Sequence, residues 1–273
     1  MRSITLGQYY PTGSVIHSID GRMRIILLLL FIVASFVCSG PLSFALLASF
    51  TLGLVFLSKV PLKTVLRSVR TIIFILVFTF VINVFFTTGK SEPLFSFWIF
   101  TLYREGLFRA LFMALRVLSL VIGTSILISY TASPIEITHS LEALLKPLEK
   151  IRIPVHSFSM MMFIALRFIP TLSDDTDRIM TAQRARGVDF SKGSLFSRVR
   201  SLISVMVPLF VSSFRRADEL ATAMECRCYH GGEGRTSMRV MRLHASDFVA
   251  LGIFILFGAA VIALNRFDLG LTL

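Results

Sequence analysis

The chain has 273 residues, 55% of them apolar, with 26 Phe and a formal net charge of +12. An apolar share of that size, gathered into long runs, describes an integral membrane protein and excludes a soluble globular domain. The basic residues cluster in particular loops, as the orientation rule for membrane helices demands, and no RNA- or DNA-binding motif accompanies them, which excludes nucleic acid as a partner.

The first apolar run, 25–39, follows Arg22 and Arg24. A long polar or mixed stretch precedes it and Phe36-Val37-Cys38 offers no small-residue cleavage site, so it is expected to be a retained span rather than a signal peptide. The next run, 41–58, follows the Gly40-Pro41 turn, and the two read as a hairpin of short or tilted spans. Runs 71–88 and 106–130 continue the series, since roughly 20 residues at about 1.5 Å each cross the hydrocarbon core. Arg109 and Arg116 share one face of the fourth span. Arg109 is expected to snorkel, whereas Arg116 needs a polar neighbour or a partner subunit.

Helix signals dominate the stretch between the fourth run and the last. Ser133-Pro134-Ile135-Glu136 forms a capping box with proline at the first helical position. Behind it Ile137, Leu141, Leu144, Leu145 and Leu148 make one apolar face of a helix ending near Lys150. Pro154 opens another helix, which either kinks or restarts at Pro170, where Asp174, Asp175 and Asp177 suit the positive end of a helix dipole. Gly187 suits its C-cap. A third helix runs from about Leu195 past Pro208 to about Cys228. Segments 155–169 and 201–214 are apolar but flanked by bases on both sides, which leaves a span no preferred orientation. Both are therefore expected to be amphipathic helices at the cytoplasmic side of the membrane. The run 248–264 supplies a fifth span.

The Lys/Arg distribution then becomes consistent. Arg22, Arg24, Lys59, Lys63, Arg67, Arg70 and nearly all bases between 131 and 247 fall on one side; Lys90, Arg104, Arg109 and Arg266 fall on the other. The expectation is an all-α integral membrane protein with about five transmembrane helices plus long amphipathic cytoplasmic coupling helices. Residues 1–130 hold four spans, 131–246 the coupling-helix region and 247–273 the last transmembrane helix. The N-terminus is cytoplasmic and the C-terminus outside.

One short pattern occurs twice, each time closing a helix: Gln183-Arg184-Ala185-Arg186-Gly187 and Met224-Glu225-Cys226-Arg227-Cys228. Each places an arginine between small residues. A guanidinium offers a planar fork of donors for a carboxylate or for backbone carbonyls, and small neighbours let the helix end approach closely. Two such tips suggest docking to two similar partners. Gly231-Gly232-Glu233-Gly234 lacks the Gly-Lys-Ser/Thr ending of a phosphate loop. Glu225, Cys226, Cys228 and His230 lack zinc spacing. Cys38, Cys226 and Cys228 make no disulfide framework. No catalytic, metal or cofactor constellation is read, so the chain is not expected to be an enzyme by itself.

The opening Ser14-Val15-Ile16-His17-Ser18-Ile19-Asp20-Gly21-Arg22-Met23-Arg24 resembles that of the transmembrane T component of energy-coupling factor transporters, where the pattern runs Ser-x-x-His-x-x-Asp-x-Arg-x-Lys. Arg24 stands where lysine is usual. Ala132-Ser133-Pro134, Leu166-Arg167-Phe168-Ile169-Pro170 and the two arginine tips also fit, so the resemblance covers essentially the whole chain. It implies that the tips insert into two cytoplasmic ATP-binding cassette ATPases, and that the chain carries their motion to a substrate-binding membrane subunit for vitamin or micronutrient uptake. Ala185, Arg186 and Gly187 match the family's Ala-Arg-Gly fully; at the second tip only Arg227 does, because Cys226 and Cys228 replace alanine and glycine. The chain looks most like T components shared by several substrate subunits, in a bacterial cell membrane, touching lipid throughout. The alternative is a standalone secondary transporter, which would need ionisable residues in several spans and two similar spanning halves. The spans hold little beyond Arg116 and Asn83, and the repeat lies elsewhere.

Overall fold

The computed structural model describes residues 10, 12–86, 95–97, 100–190, 194–231, 241 and 243–266; Lys90, Glu92 and Lys192 lie outside the described residues. In chain order the helices are α1 (Val15–Ser18), α2 (Gly21–Val37), α3 (Pro41–Ser58), α4 (Leu62–Phe86), α5 (Arg104–Thr124), α6 (Pro134–Leu145), α7 (Val155–Ala185), α8 (Leu195–Cys226) and α9 (Ala245–Arg266). A π-helical turn, Ser125–Ser129, extends α5, and a 3₁₀ segment, Lys146–Ile151, extends α6. The chain divides into two compact units, one of Met1–Leu6 and Leu141–Arg239 and the other of Gly7–Ser140 and Val240–Leu273.

In the larger unit α2 packs on α9, α3 on α5 and α9, and α4 on α5. Water does not drive helices together inside lipid, so close van der Waals fit and internal hydrogen bonds must hold them. Phenylalanines supply much of that fit. The Phe50 and Phe257 rings stack at 4.0 Å, Phe44 on Phe112 at 4.8 Å, and Phe31, fully buried, stacks on both Phe50 and Phe257. Gly123 lets α5 approach this cluster: a Cβ there would sit 2.3 Å from Phe31 Cε1. Gly123→Ala is therefore expected to cost about 1–3 kcal/mol through overpacking, visible as a lower unfolding temperature in detergent.

Polar groups are satisfied locally, as an apolar solvent requires. Ser35 donates to Phe31 O, Thr51 to Leu47 O and Thr131 to Leu127 O. Ser43 Oγ accepts the Gly40 N–H at 3.1 Å and starts α3 just before Pro41, while Lys59 ends that helix at φ +53°. Arg116 donates to the Cys38 carbonyl at the end of α2 and lies over the Phe44 ring. Asn265 reinforces the same helix end by donating to Val37 O. The polar neighbour expected for Arg116 is thus a helix C-terminus, where a cation complements the dipole.

The helices α2, α3, α5 with its π turn, and α9 cover four of the five expected spans within a few residues, and α4 covers the third. α4 bends by 56° between Leu62–Arg70 and Ile72–Phe85, and α2 has 17 residues. Phe95–Phe97 and Phe100–Leu102 form a short antiparallel hairpin with Phe95 opposite Leu102, a small departure from a purely helical chain. Its alternation of apolar and hydroxyl residues is strand-like, but it is too short to register against the long helical runs.

The smaller unit is built on α7 and α8, of 31 and 32 residues, each about 46–48 Å long at 1.5 Å per residue. α7 runs without a break through Pro170. Asp174, Asp175 and Asp177 therefore lie mid-helix and cannot serve a dipole; Asp175 instead pairs with Arg216 of α8. By length and apolarity both helices could also cross a membrane.

Candidate functional site

The two arginine tips close their helices with the same backbone. At the end of α7, Arg186 is the C-cap at φ −82°, ψ 6°, and Gly187 follows in the left-handed region at φ +86°. Val188 N–H reaches back to Gln183 O at 3.0 Å and Gly187 N–H to Arg184 O at 2.9 Å. At the end of α8, Arg227 is the C-cap at φ −94°, ψ 17°, and Cys228 follows at φ +54°. Tyr229 N–H reaches Met224 O at 3.1 Å and Cys228 N–H reaches Glu225 O at 2.9 Å. Each tip thus satisfies two terminal carbonyls by a six-to-one and a five-to-two bond around a left-handed residue.

This geometry explains the residue types. The position after the arginine must turn left-handed, which glycine does freely and a side chain resists by about 1–2 kcal/mol. Cys228 holds the glycine position under that strain. Cys228→Gly is expected to keep the tip and raise stability by up to about 1 kcal/mol, read as a higher unfolding temperature. A variant of unchanged or lower stability would contradict the assigned cap.

Arg186 and Arg227 are both exposed, as are Ala185, Gly187, Glu225, Cys226 and Cys228. Arg184, two residues earlier, is already engaged over the Phe190 ring. Gln183 is half-buried and its amide donates to Ser204 O at 3.3 Å, so it holds the first tip against α8.

The two helices run antiparallel. Gln183 meets Ser204, and eight residues earlier Asp175 meets Arg216, twelve residues later on the partner helix. The tips consequently lie at opposite ends of the pair. Ser204 is close to the first tip and stands 23 residues before Arg227, about 35 Å along the helix. Past the Asp175–Arg216 pair a mostly apolar groove of about 440 Å³ is lined by Phe168 and Leu172 of α7 and Leu220, Met224 and Glu225 of α8. Outside it, α8 exposes an apolar stripe: Phe196, Val199, Ile203, Met206, Phe210 and Phe214. Their spacing of three and four residues puts them on one face, and Phe158, Met161, Met162 and Ile169 are exposed on α7. The Met160-Met161-Met162 cluster thus lies partly at a surface.

Two acids that the sequence does not single out as functional are engaged within the larger unit. Glu136 does belong to a helix cap, its N–H donating to Ser133 Oγ at 3.2 Å. Its carboxylate is spent elsewhere, on Arg24 at 2.8 Å. Asp247 is fully buried at the start of α9 and bonds a backbone N–H of the N-terminal segment. A lone acid opening an apolar run is the one signal for it. Among the described residues no group of His, Cys, Asp and Glu could hold a metal ion.

A family model described as cobalt transport protein, CbiQ, matches residues 12–238. The chain is 48% identical over 250 residues to the energy-coupling factor transporter transmembrane protein EcfT of Clostridium kluyveri, covering 92% of each. It is 44% identical to the Bacillus subtilis protein of that name, over 88% of this chain and 89% of the relative. For the Lactococcus lactis subsp. cremoris protein the figures are 41%, 90% and 92%.

Proposed function

The chain belongs to the family of transmembrane T components of energy-coupling factor transporters, and we propose that it couples ATP hydrolysis on two separate cytoplasmic ATPases to the movement of a substrate-binding membrane subunit. The observation that carries this reading is the shared cap at the two ends of the α7–α8 pair. Equivalent tips at opposite ends of one helix pair suit two copies of a similar groove. When two ATPases close, grooves holding Arg186 and Arg227 move toward each other and the tips must follow. The exposed apolar faces of α7 and α8 then move against lipid and the substrate subunit, which takes up a vitamin or another micronutrient. Ala185, Gly187, Cys226 and Cys228 give each tip room to insert, Glu225 adds a charge beside the second, and Gln183 fixes the first.

Residues 131–246 act as the coupling region on the cytoplasmic face of the bacterial membrane, between four spans and a last one. The secondary-transporter alternative loses its polar foothold, since Arg116 serves the end of α2 and Asn83 donates to Thr79 O within its own helix.

In intact cells, Cys replacing Glu92 should react with a membrane-impermeant thiol reagent, and Cys replacing Lys192 only after lysis; external labelling at 192 would sink the orientation. The purified chain alone in liposomes should neither hydrolyse ATP nor bind a vitamin saturably. Saturable binding without partners would favour the secondary transporter.

A further inference from the structure

After Gly7 the chain passes between its two units at Ser140/Leu141 and at Arg239/Val240, and residues Asp20–Arg24 grip it within a few residues of both of these crossings. On the outgoing side, Arg24 donates through Nη1 to Thr131 O at 2.6 Å and through Nη2 to Glu136 Oε1 at 2.8 Å. Gly21 meets α6 so closely that a Cβ there would lie 2.1 Å from Ser140 Oγ. On the returning side, Asp20 N–H donates to Asp247 Oδ1 at 2.9 Å and Arg22 Nη2 to Met241 O at 3.2 Å. Asp247 Oδ2 accepts His244 N–H at 2.7 Å, which fixes the turn into α9.

Arg24 is 2% exposed and Asp247 is fully buried. Arg24 also donates to Ile19 O and His17 O, so its fork ties α1, α2, Thr131 and Glu136 together at once. A buried charge held by this many acceptors resists displacement, because moving one partner leaves the other unpaired away from water.

We propose that Asp20–Arg24 is the anchor against which the coupling helices work, with Arg24 and Glu136 as its positioning pair. The proposal rests on the coupling function. A helix pair displaced at its tips transmits that displacement only if its roots are held. The chain beside both crossings is held by one five-residue segment, whose Met23 also belongs to the apolar core around Phe31. With the clamp loosened, tip motion dissipates at the crossings instead of reaching the substrate subunit.

The test has two arms. Spin labels replacing Leu62 and Ile135, both exposed, report how firmly α6 is held in the full chain in lipid nanodiscs. Proteoliposomes of the whole complex report substrate taken up per ATP hydrolysed. Glu136→Ala should broaden the label distance distribution and lower uptake per ATP at least fivefold, while both ATPases still co-purify. Arg24→Lys, which keeps the charge opposite Glu136 but not the fork, should fall between wild type and Glu136→Ala in both readouts. A distribution in Glu136→Ala as narrow as wild type overturns the clamp. A broadened distribution with unchanged uptake per ATP overturns its part in coupling. A wild-type chain that recruits no ATPase contradicts the docking reading instead, and the clamp is then decided by the label distances alone.

Discussion

Arg186→Ala and Arg227→Ala should each cut ATPase docking by tens to thousands of fold, and the double variant should lose both ATPases and all ATP-driven uptake. Each arginine is exposed at a helix end, so its removal leaves the α7–α8 pair and the spans folded. In the proposed complex the guanidinium would be desolvated against a groove, and truncating such a contact costs about 2–5 kcal/mol. At roughly 1.4 kcal/mol per tenfold, that range spans the stated loss. Lysine at either position should rescue only in part, because an ammonium lacks the planar fork. The readouts are ATPase recovered per chain on affinity purification and uptake in proteoliposomes. Wild-type recovery with the double variant would refute the docking role.

Gly187→Val should lose the first docking contact as thoroughly as Arg186→Ala, for a different reason. A β-branched side chain at φ +86° is strongly disfavoured. The cap would rearrange, and Arg186 would lose the backbone geometry it shares with Arg227. Gly187→Asn separates conformation from bulk, since asparagine tolerates the left-handed region. Among the described residues, a Cβ at Gly187 meets nothing within 4 Å. Asn should therefore preserve the helix end and lose only what the partner's groove cannot accommodate. Docking by the Val variant equal to wild type would remove the cap from the account.

Much of this architecture was legible from apolar runs. Lipid-facing and core-facing positions are both apolar, so the spans stand out wherever charge is absent, and Gly40-Pro41 marks the first hairpin. Pro170 was less informative. A proline removes one helix hydrogen bond, yet α7 continues through it from Val155 to Ala185, with Asp175, five residues beyond, held by Arg216. The role of the N-terminal pattern was hidden for another reason. Arg24 and Glu136, and likewise Asp20 and Asp247, are far apart in sequence and meet only in the folded chain. The arginine tips were recognisable as a repeated pattern, but Cys228 in the place of Gly187 obscured their equivalence. Only backbone dihedrals and cap hydrogen bonds reveal that both positions turn left-handed, since cysteine gives no sequence signal for that conformation.

The central claim is that this chain presents two equivalent docking ends. It is tested most directly by affinity purification of the tagged chain from its native membrane, followed by native mass spectrometry of the intact complex. The expected result is two ATPase subunits and a substrate-binding membrane protein per chain, with one ATPase lost from Arg227→Ala and both from the double alanine variant. A wild-type chain that carries no ATPase, or a double variant that still carries two, would contradict it.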